Sequence, residues 1–236
     1  MRTPAMKALA LIAGFVLFPC SALLQQSKTP EHALPPESEE TLKQLRATPP
    51  AWLFPADACP ADVMPGTEQR IDYGARFCRT HLRSCIEQCR EEDASACYGL
   101  ARMIEDVDIN DPTADPVFLR ACRLGIASGC TNRASRMTYF KPVAPGADLC
   151  AARTFEKTCE QDDPWGCTMY GWHLMRGAGV QRNPDLAARV LRKSCQYDET
   201  FEACTRAKEL LKEIGDTTRQ PESSKGAAGL EKHGRS

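Results

Sequence analysis

A chain of 236 residues has room for one or two ordinary domains, and its 30 basic and 31 acidic side chains leave it close to neutral. The two signs are interspersed, so the sequence offers no basic stripe of the kind that neutralises nucleic-acid phosphates. Thirteen cysteines are far more than a reducing compartment usually carries, and they point to an oxidising one.

The chain opens with Arg2 and Lys7, an apolar run from Ala8 to Phe18, and the small residues Cys20-Ser21-Ala22. Residues 1–22 read as a secretory signal, too short to span a bilayer as a stable helix. Cleavage after Ala22 is the expected processing. Lipidation of Cys20 is the alternative, although Phe18 and Pro19 stand where such a signal wants small residues. Residues 23–66 contain eight prolines, which remove backbone donors and stiffen the chain. They read as an extended spacer with one short helix at about Glu37 to Ala47, carried by Leu42 and Leu45.

Residues 67–215 are the expected folded part, and cysteine pairs mark it out: Cys89 with Cys97, Cys122 with Cys130, Cys159 with Cys167, and Cys195 with Cys204. First members follow one another at intervals of 33, 37 and 36 residues, a period that marks a helical repeat array. Four residues beyond each second cysteine stand Ala101, Ala134, Gly171 and Lys208; seven beyond stand Ile104, Met137, Leu174 and Leu211. These positions share a helix face, the small residue allowing a neighbouring helix to approach. Lys208 breaks the pattern at the end of the array, where a polar face is wanted. Four residues before each first cysteine lies a second seam of Cys85, Phe118, Phe155 and Leu191. The reading is an all-α solenoid of about four helix pairs, each pair meeting across a short polar turn.

The third unit is the clearest. Its first helix carries Cys167, Tyr170, Gly171 and Leu174; Gly177 and Gly179 suit a helix stop. Asn183 then caps a helix that begins with Pro184 and Asp185 and turns Ala187, Ala188 and Leu191 inward. Residues 216–236 are polar, with almost nothing to bury, and read as a disordered tail.

The stretch Tyr170-Gly171, Leu174, Gly177-Ala178-Gly179-Val180, Asn183 and Ala188 resembles the Sel1-like repeat family, relatives of the tetratricopeptide repeats. With a cysteine at each unit boundary, the chain is similar to the secreted, cysteine-rich bacterial branch of that family, over roughly Cys85 to Leu211. The resemblance implies a disulfide within each repeat: Cys89–Cys97, Cys122–Cys130, Cys159–Cys167 and Cys195–Cys204. Cys59, Cys78, Cys85 and Cys150 remain, with three pairings open. A continuous helix would hold Cys78 and Cys85 two turns apart, too far to bond, and a Cys59 link to the first helix is attractive. His81, Cys85 and Cys89 share a helix face but lack the close cysteine pair of a zinc site, so neither metal nor cofactor is expected.

Stacked helix pairs usually present a concave surface to peptides or proteins. The expected function is therefore a secreted or envelope-tethered binding scaffold with a protein or peptide partner, touching the membrane only through a lipid anchor. Tyr139, Tyr170, Trp172 and Arg176 are candidate contact residues because aromatic and arginine side chains dominate interfaces, with Tyr170 equally suited to the core. The resemblance also implies an alternative, a β-lactam- or peptidoglycan-binding protein or a β-lactamase-type hydrolase. No Ser-x-x-Lys, Gly-x-Ser-x-Gly or His-Glu-x-x-His motif supports it, and no catalytic residue is assigned. Gly125 to Gly129 sits beside a disulfide turn and reads as a loop, His173 as a packed or solvated residue, and Glu160, Asp162 and Asp163 as a loop-solvating run.

Overall fold

In the computed structural model, residues 33–53, 57–66, 70, 72, 76–140 and 143–219 are described, and a compact unit begins at Leu34. Residues 1–32, on which the signal reading and Cys20 fall, and residues 220–236 lie outside the described residues, whereas residues 216–219, read as the start of a disordered tail, continue the last helix. Among those described there is no strand, only an isolated bridge between Arg70 and Ile126. Three α-helices come first, α1 (Pro36–Ala47), α2 (Pro60–Val63) and α3 (Arg76–Thr80), with a 3-10 turn at Ala51–Leu53 between α1 and α2. Eight array helices follow as four pairs: α4 (Leu82–Arg90) with α5 (Ala94–Val107), α6 (Ala114–Arg123) with α7 (Ala127–Tyr139), α8 (Ala147–Glu160) with α9 (Pro164–Arg176), and α10 (Pro184–Lys193) with α11 (Glu202–Arg219). Each helix packs on the next, and α9 also touches α7 and α11, so the second helices form a row. This is the solenoid that the cysteine period predicts.

A disulfide closes each hairpin, with Cα–Cα separations of 4.6, 4.6, 4.4 and 4.6 Å in chain order. The first three turns share one geometry. The residue three beyond the first cysteine (Glu92, Gly125 or Asp162) has positive φ, and the next donates its N–H to the carbonyl just before that cysteine. These are Schellman caps, which satisfy carbonyls orphaned by the helix end. The fourth turn is one residue longer and ends α10 with three-residue backbone bonds instead. The residue before the second cysteine is always small: Ala96, Gly129, Gly166 or Ala203. The reason is steric, since a Cβ on Gly129 would come within 3.1 Å of the Cys122 nitrogen, and one on Gly166 would overlap Thr158. Both apolar seams are where the periodicity places them: Phe118, Phe155, Leu191, Ala101 and Ala134 are fully buried.

A basic side chain two residues before the first cysteine locks one unit to the previous one. Arg120 Nε donates to the Cys89 carbonyl at 3.1 Å, and Lys193 Nζ donates to that of Cys159 at 3.2 Å. Each caps the C-terminal end of a helix, where a cation also meets the negative end of the dipole. Lys157 stands in the same register but donates to Ala61, at 2.6 Å.

Ala61 belongs to a strap, and here the structure corrects the reading of residues 23–66 as an extended spacer. From Leu34 the described part lies on the array: α1 forms as expected, with Leu42 and Leu45 buried, and Leu53 and Ala61 are buried further along. Arg46 pairs with buried Asp111 at 2.6 Å. Cys59 bonds to Cys150 in the third unit rather than to the first helix. The remaining pair is Cys78–Cys85, which a continuous helix would forbid. His81 interrupts the helix with φ −131° and ψ 48°, folding α3 back until the two Cα atoms are 5.2 Å apart. All twelve cysteines from Cys59 onward are thus disulfide-bonded, a state that belongs to an oxidising compartment. No helix among the described residues is long and apolar enough to cross a membrane.

Glu92 holds a left-handed conformation that a Cβ disfavours. Replacing it with glycine should raise stability by about 0.5–1 kcal/mol, after allowing for the added freedom of the unfolded chain. Urea unfolding followed by circular dichroism measures this, and a loss of stability would show that the Glu92 side chain outweighs the backbone strain.

Candidate functional site

The row of second helices carries a groove of about 650 Å³. Ser135, Thr138 and Tyr139 reach it from α7, Met169 and Trp172 from α9, and Arg206 and Leu210 from α11. Thr168 of α9, Asp148 at the start of α8, and Val143 and Ala178 from the connections complete the lining. The lining combines apolar side chains with hydroxyls and one charge of each sign. Arg206 is spanned by Glu209 on its own helix at 2.6 Å, so neither sign dominates.

Buried polar anchors hold the walls. Arg136 is almost wholly inaccessible, yet its guanidinium reaches Asp115 at 2.5 Å and Glu105 at 3.2 Å. It also donates to the Ile109 and Asp111 carbonyls, and it lies 4.5 Å from the centre of the Phe140 ring. One side chain thereby fastens α7 to the α5–α6 connection. Thr168 Oγ1 sits 3.0 Å from each of the Pro164 carbonyl, Ser194 Oγ and the Ala203 carbonyl, tying α9 to the start of α11. Asp163 corrects the reading of a solvated acidic run: it is fully buried, and Thr131 of α7 donates to its carboxylate.

The glycine loop positions Ala178. Gly177 ends α9 in the left-handed region, its N–H bonded to the His173 carbonyl at 2.8 Å. Gly179 has φ +65° and lies against the start of α8, where a Cβ would overlap the Asp148 carbonyl. Asn183 closes the loop as expected, accepting from Leu186 N at 3.0 Å. His173 latches it from beneath. The ring is buried, 5.1 Å from that of Phe155, and Nδ1 lies 2.7 Å from the Ala178 carbonyl, which only an Nδ1–H can satisfy. Burial lowers the pKa below the ordinary value, the bond to Ala178 and the charge of Asp148 opposing this in part.

Of the contact residues read from sequence, the structure brings Tyr139 and Trp172 to the groove. Tyr139 is 72% exposed and Trp172 is half-buried. Tyr170 is buried in the core, its hydroxyl donating to Glu156 at 2.7 Å. Arg176 is exposed and pairs with Glu213 at 2.5 Å, away from the groove lining. Met169, Leu210, Ser135 and Arg206 escaped the sequence reading. Counting two and five residues beyond each second cysteine would have found most of them, since Ser135, Met169, Trp172 and Arg206 fall there. Gly125 to Gly129, read as a loop, instead opens α7 from Ala127, and its serine is committed: Ser128 Oγ donates to the Asp72 carbonyl at 2.7 Å and accepts from its N–H. No group of metal-ligating side chains occurs among the described residues.

No protein-family model matches this chain, and neither a curated protein nor a solved structure matches it.

Gly179→Ala should cost about 3 kcal/mol, because backbone must move to admit the methyl group, whereas Gly177→Ala meets only Arg182 Cβ at 3.3 Å and should cost about 1 kcal/mol. Urea unfolding of the two variants tests the order, and equal losses would sink the close-approach argument. For His173, an unfolded histidine titrates near 6.5, above the folded value. Its contribution is therefore complete above that pH and declines as pH falls towards the depressed folded pKa. His173→Asn keeps a donor for Ala178 but cannot titrate. The urea midpoint of the wild type should fall more than that of the variant between about pH 7 and pH 5; parallel curves would exclude His173 as the source.

Proposed function

We propose that the protein is a repeat scaffold of the Sel1-like kind that binds a segment of a partner protein in the groove across α7, α9 and α11. The observation that carries this reading is the placement of Tyr139, Met169, Trp172 and Leu210 side by side on three consecutive second helices. A lining that combines apolar side chains with hydroxyls suits an extended segment with one large apolar side chain, and aromatic residues in such places supply most of the binding energy. The Gly177, Gly179 and Asn183 loop, the cysteine period and the hairpin disulfides support membership of the cysteine-rich branch. The oxidising compartment is, on this reading, reached through the segment 1–22, by secretion into a bacterial envelope or by tethering through lipid on Cys20. A hydrolase would need a hydroxyl activated by a base. Ser128 and His173 Nδ1 are both engaged by backbone groups, so the geometry favours binding.

A phage-displayed dodecamer library panned on the oxidised protein supplies test peptides, and calorimetry on the synthetic winners measures affinity. Trp172→Ala and Tyr139→Ala should each weaken binding at least tenfold with unchanged circular dichroism, about 1.4 kcal/mol or more. Equal affinity for the wild type and both variants, or no enriched peptide, overturns the proposal.

A further inference from the structure

The strap at residues 57–66 interrupts a regular feature of the array. Arg120 and Lys193 reach back to the carbonyl of the first cysteine in the preceding unit; Lys157, in the same register, reaches the strap's Ala61 carbonyl instead. The strap also covers a disulfide. The Pro60 carbonyl lies 3.8 Å from Cys122 Sγ, and α2 packs against α6, α7 and α8 together. Few apolar groups hold it there, since only Pro60 and Ala61 of α2 are buried. Polar contacts add to these: Ala61 N donates to Thr154 Oγ1 at 3.1 Å, and Arg153 pairs with Asp62 at 2.5 Å with both side chains about half exposed. Such exposed pairs contribute little. The covalent bond from Cys59 to Cys150 ties the strap to α8 as well.

We infer that the Cys59–Cys150 disulfide is a removable clasp: a dithiol reductant opens it before the hairpin disulfides, releases residues 57–66 and uncovers the Cys122–Cys130 bond. Access sets the order first. Both cysteines of the Cys78, Cys89, Cys122 and Cys159 bonds are buried, whereas Cys59 is half-buried. Cys195 is also half-buried, but its partner Cys204 is nine residues away across a hairpin that remains packed when the bond breaks. The two thiols therefore stay together at high effective concentration and re-form the bond. Cys59 and Cys150 are 91 residues apart and stay together only as long as the strap does.

The chemistry balances as thiol–disulfide exchange. One thiolate of the dithiol attacks Cys59 Sγ, the Sγ–Sγ bond breaks, and Cys150 leaves as a thiolate that takes up a proton. The second thiolate closes on the mixed disulfide and releases Cys59, also protonated. Two electrons and two protons pass from the dithiol, which ends as a cyclic disulfide. With the strap gone, Lys157 is free to cap the Cys122 carbonyl as its register counterparts cap theirs. The clasp thus switches the contact between the second and third units from strap-mediated to direct.

Dithiothreitol is the probe, applied to the full oxidised chain, with timed alkylation by N-ethylmaleimide and peptide-mapping mass spectrometry. Cys59 and Cys150 should be alkylated at least tenfold faster than any other pair. In the Cys59→Ser, Cys150→Ser variant, Cys122 and Cys130 should be alkylated at least tenfold faster than in the wild type. Earlier labelling of Cys195 and Cys204, or an unchanged rate at Cys122 and Cys130, overturns the inference. Should the variant lose helicity, the wild-type time course decides alone: Cys122 must be labelled only in molecules already labelled at Cys59, and labelling in the reverse order refutes the clasp.

Discussion

Holding two antiparallel helix ends with their Cα atoms about 4.5 Å apart leaves very little freedom in the residues around the bond. That constraint organises each unit. It demands a chain reversal within a few residues, met in three turns by a left-handed residue and a Schellman cap. It forces a small side chain just before the second cysteine, because the neighbouring helix end occupies the space a larger one would need. It fixes helical phase as well, so that residues four and seven further on face the adjacent helix. In a chain-entropy picture each closed hairpin contributes about 2.5 kcal/mol by restricting the unfolded chain. An array with no central core leans on such local terms, since each unit touches only its neighbours.

Between units, polar contacts set the spacing that the apolar seams allow. Arg120 and Lys193 each tie a helix end to the unit before it, and Arg136 does comparable work between α7 and the α5–α6 connection. A buried guanidinium is tolerable only with its donors satisfied, and Arg136 meets two carboxylates and two carbonyls. The strap draws on both kinds of interaction. Its α1 portion buries Leu42 and Leu45 like an extra helix of the stack, while its α2 portion buries only Pro60 and Ala61 and is held besides by Thr154, Lys157 and one disulfide.

What could be read from the sequence was whatever repeats. Phe118, Phe155 and Leu191 recur in register and are buried, and Gly177, Gly179 and Asn183 carry turn and cap chemistry on their faces. Features that do not repeat, or that use unremarkable residues, stayed hidden. Glu92 and Asp162 hold left-handed positions that would normally announce themselves as glycine. The break at His81 has neither proline nor glycine, so α3 and α4 read as one helix and the Cys78–Cys85 bond looked impossible. Proline in residues 23–66 argued for stiffness, but a stiff segment can lie along a surface as readily as away from it, and only tertiary contacts decide. Two of the four expected contact residues reach the groove because Tyr170 lies one turn-fraction off the register that faces it, towards Glu156.

That register also explains why the groove centres on α9. Two and five residues beyond the second cysteine, α5 offers Gly99 and Arg102, and Arg102 reaches Glu105 and Asp106 at 3.6 and 3.5 Å. On α7 the same positions hold Asn132, which donates to Tyr98 at 3.3 Å, and Ser135. On α11 they hold Arg206 and Glu209, already paired with each other. Only α9 places two large apolar side chains there, Met169 and Trp172. Charged and hydrogen-bonded side chains at these positions on α5, α7 and α11 leave α9 the main apolar contributor, to which α7 adds Tyr139 and α11 adds Leu210. The helices that frame the groove are fixed in advance by hairpin disulfides, Thr168 and Arg136. Were a segment to bind as proposed, it would have little ordering to impose on these walls, and burial of its apolar side chain would go into affinity rather than into folding the site.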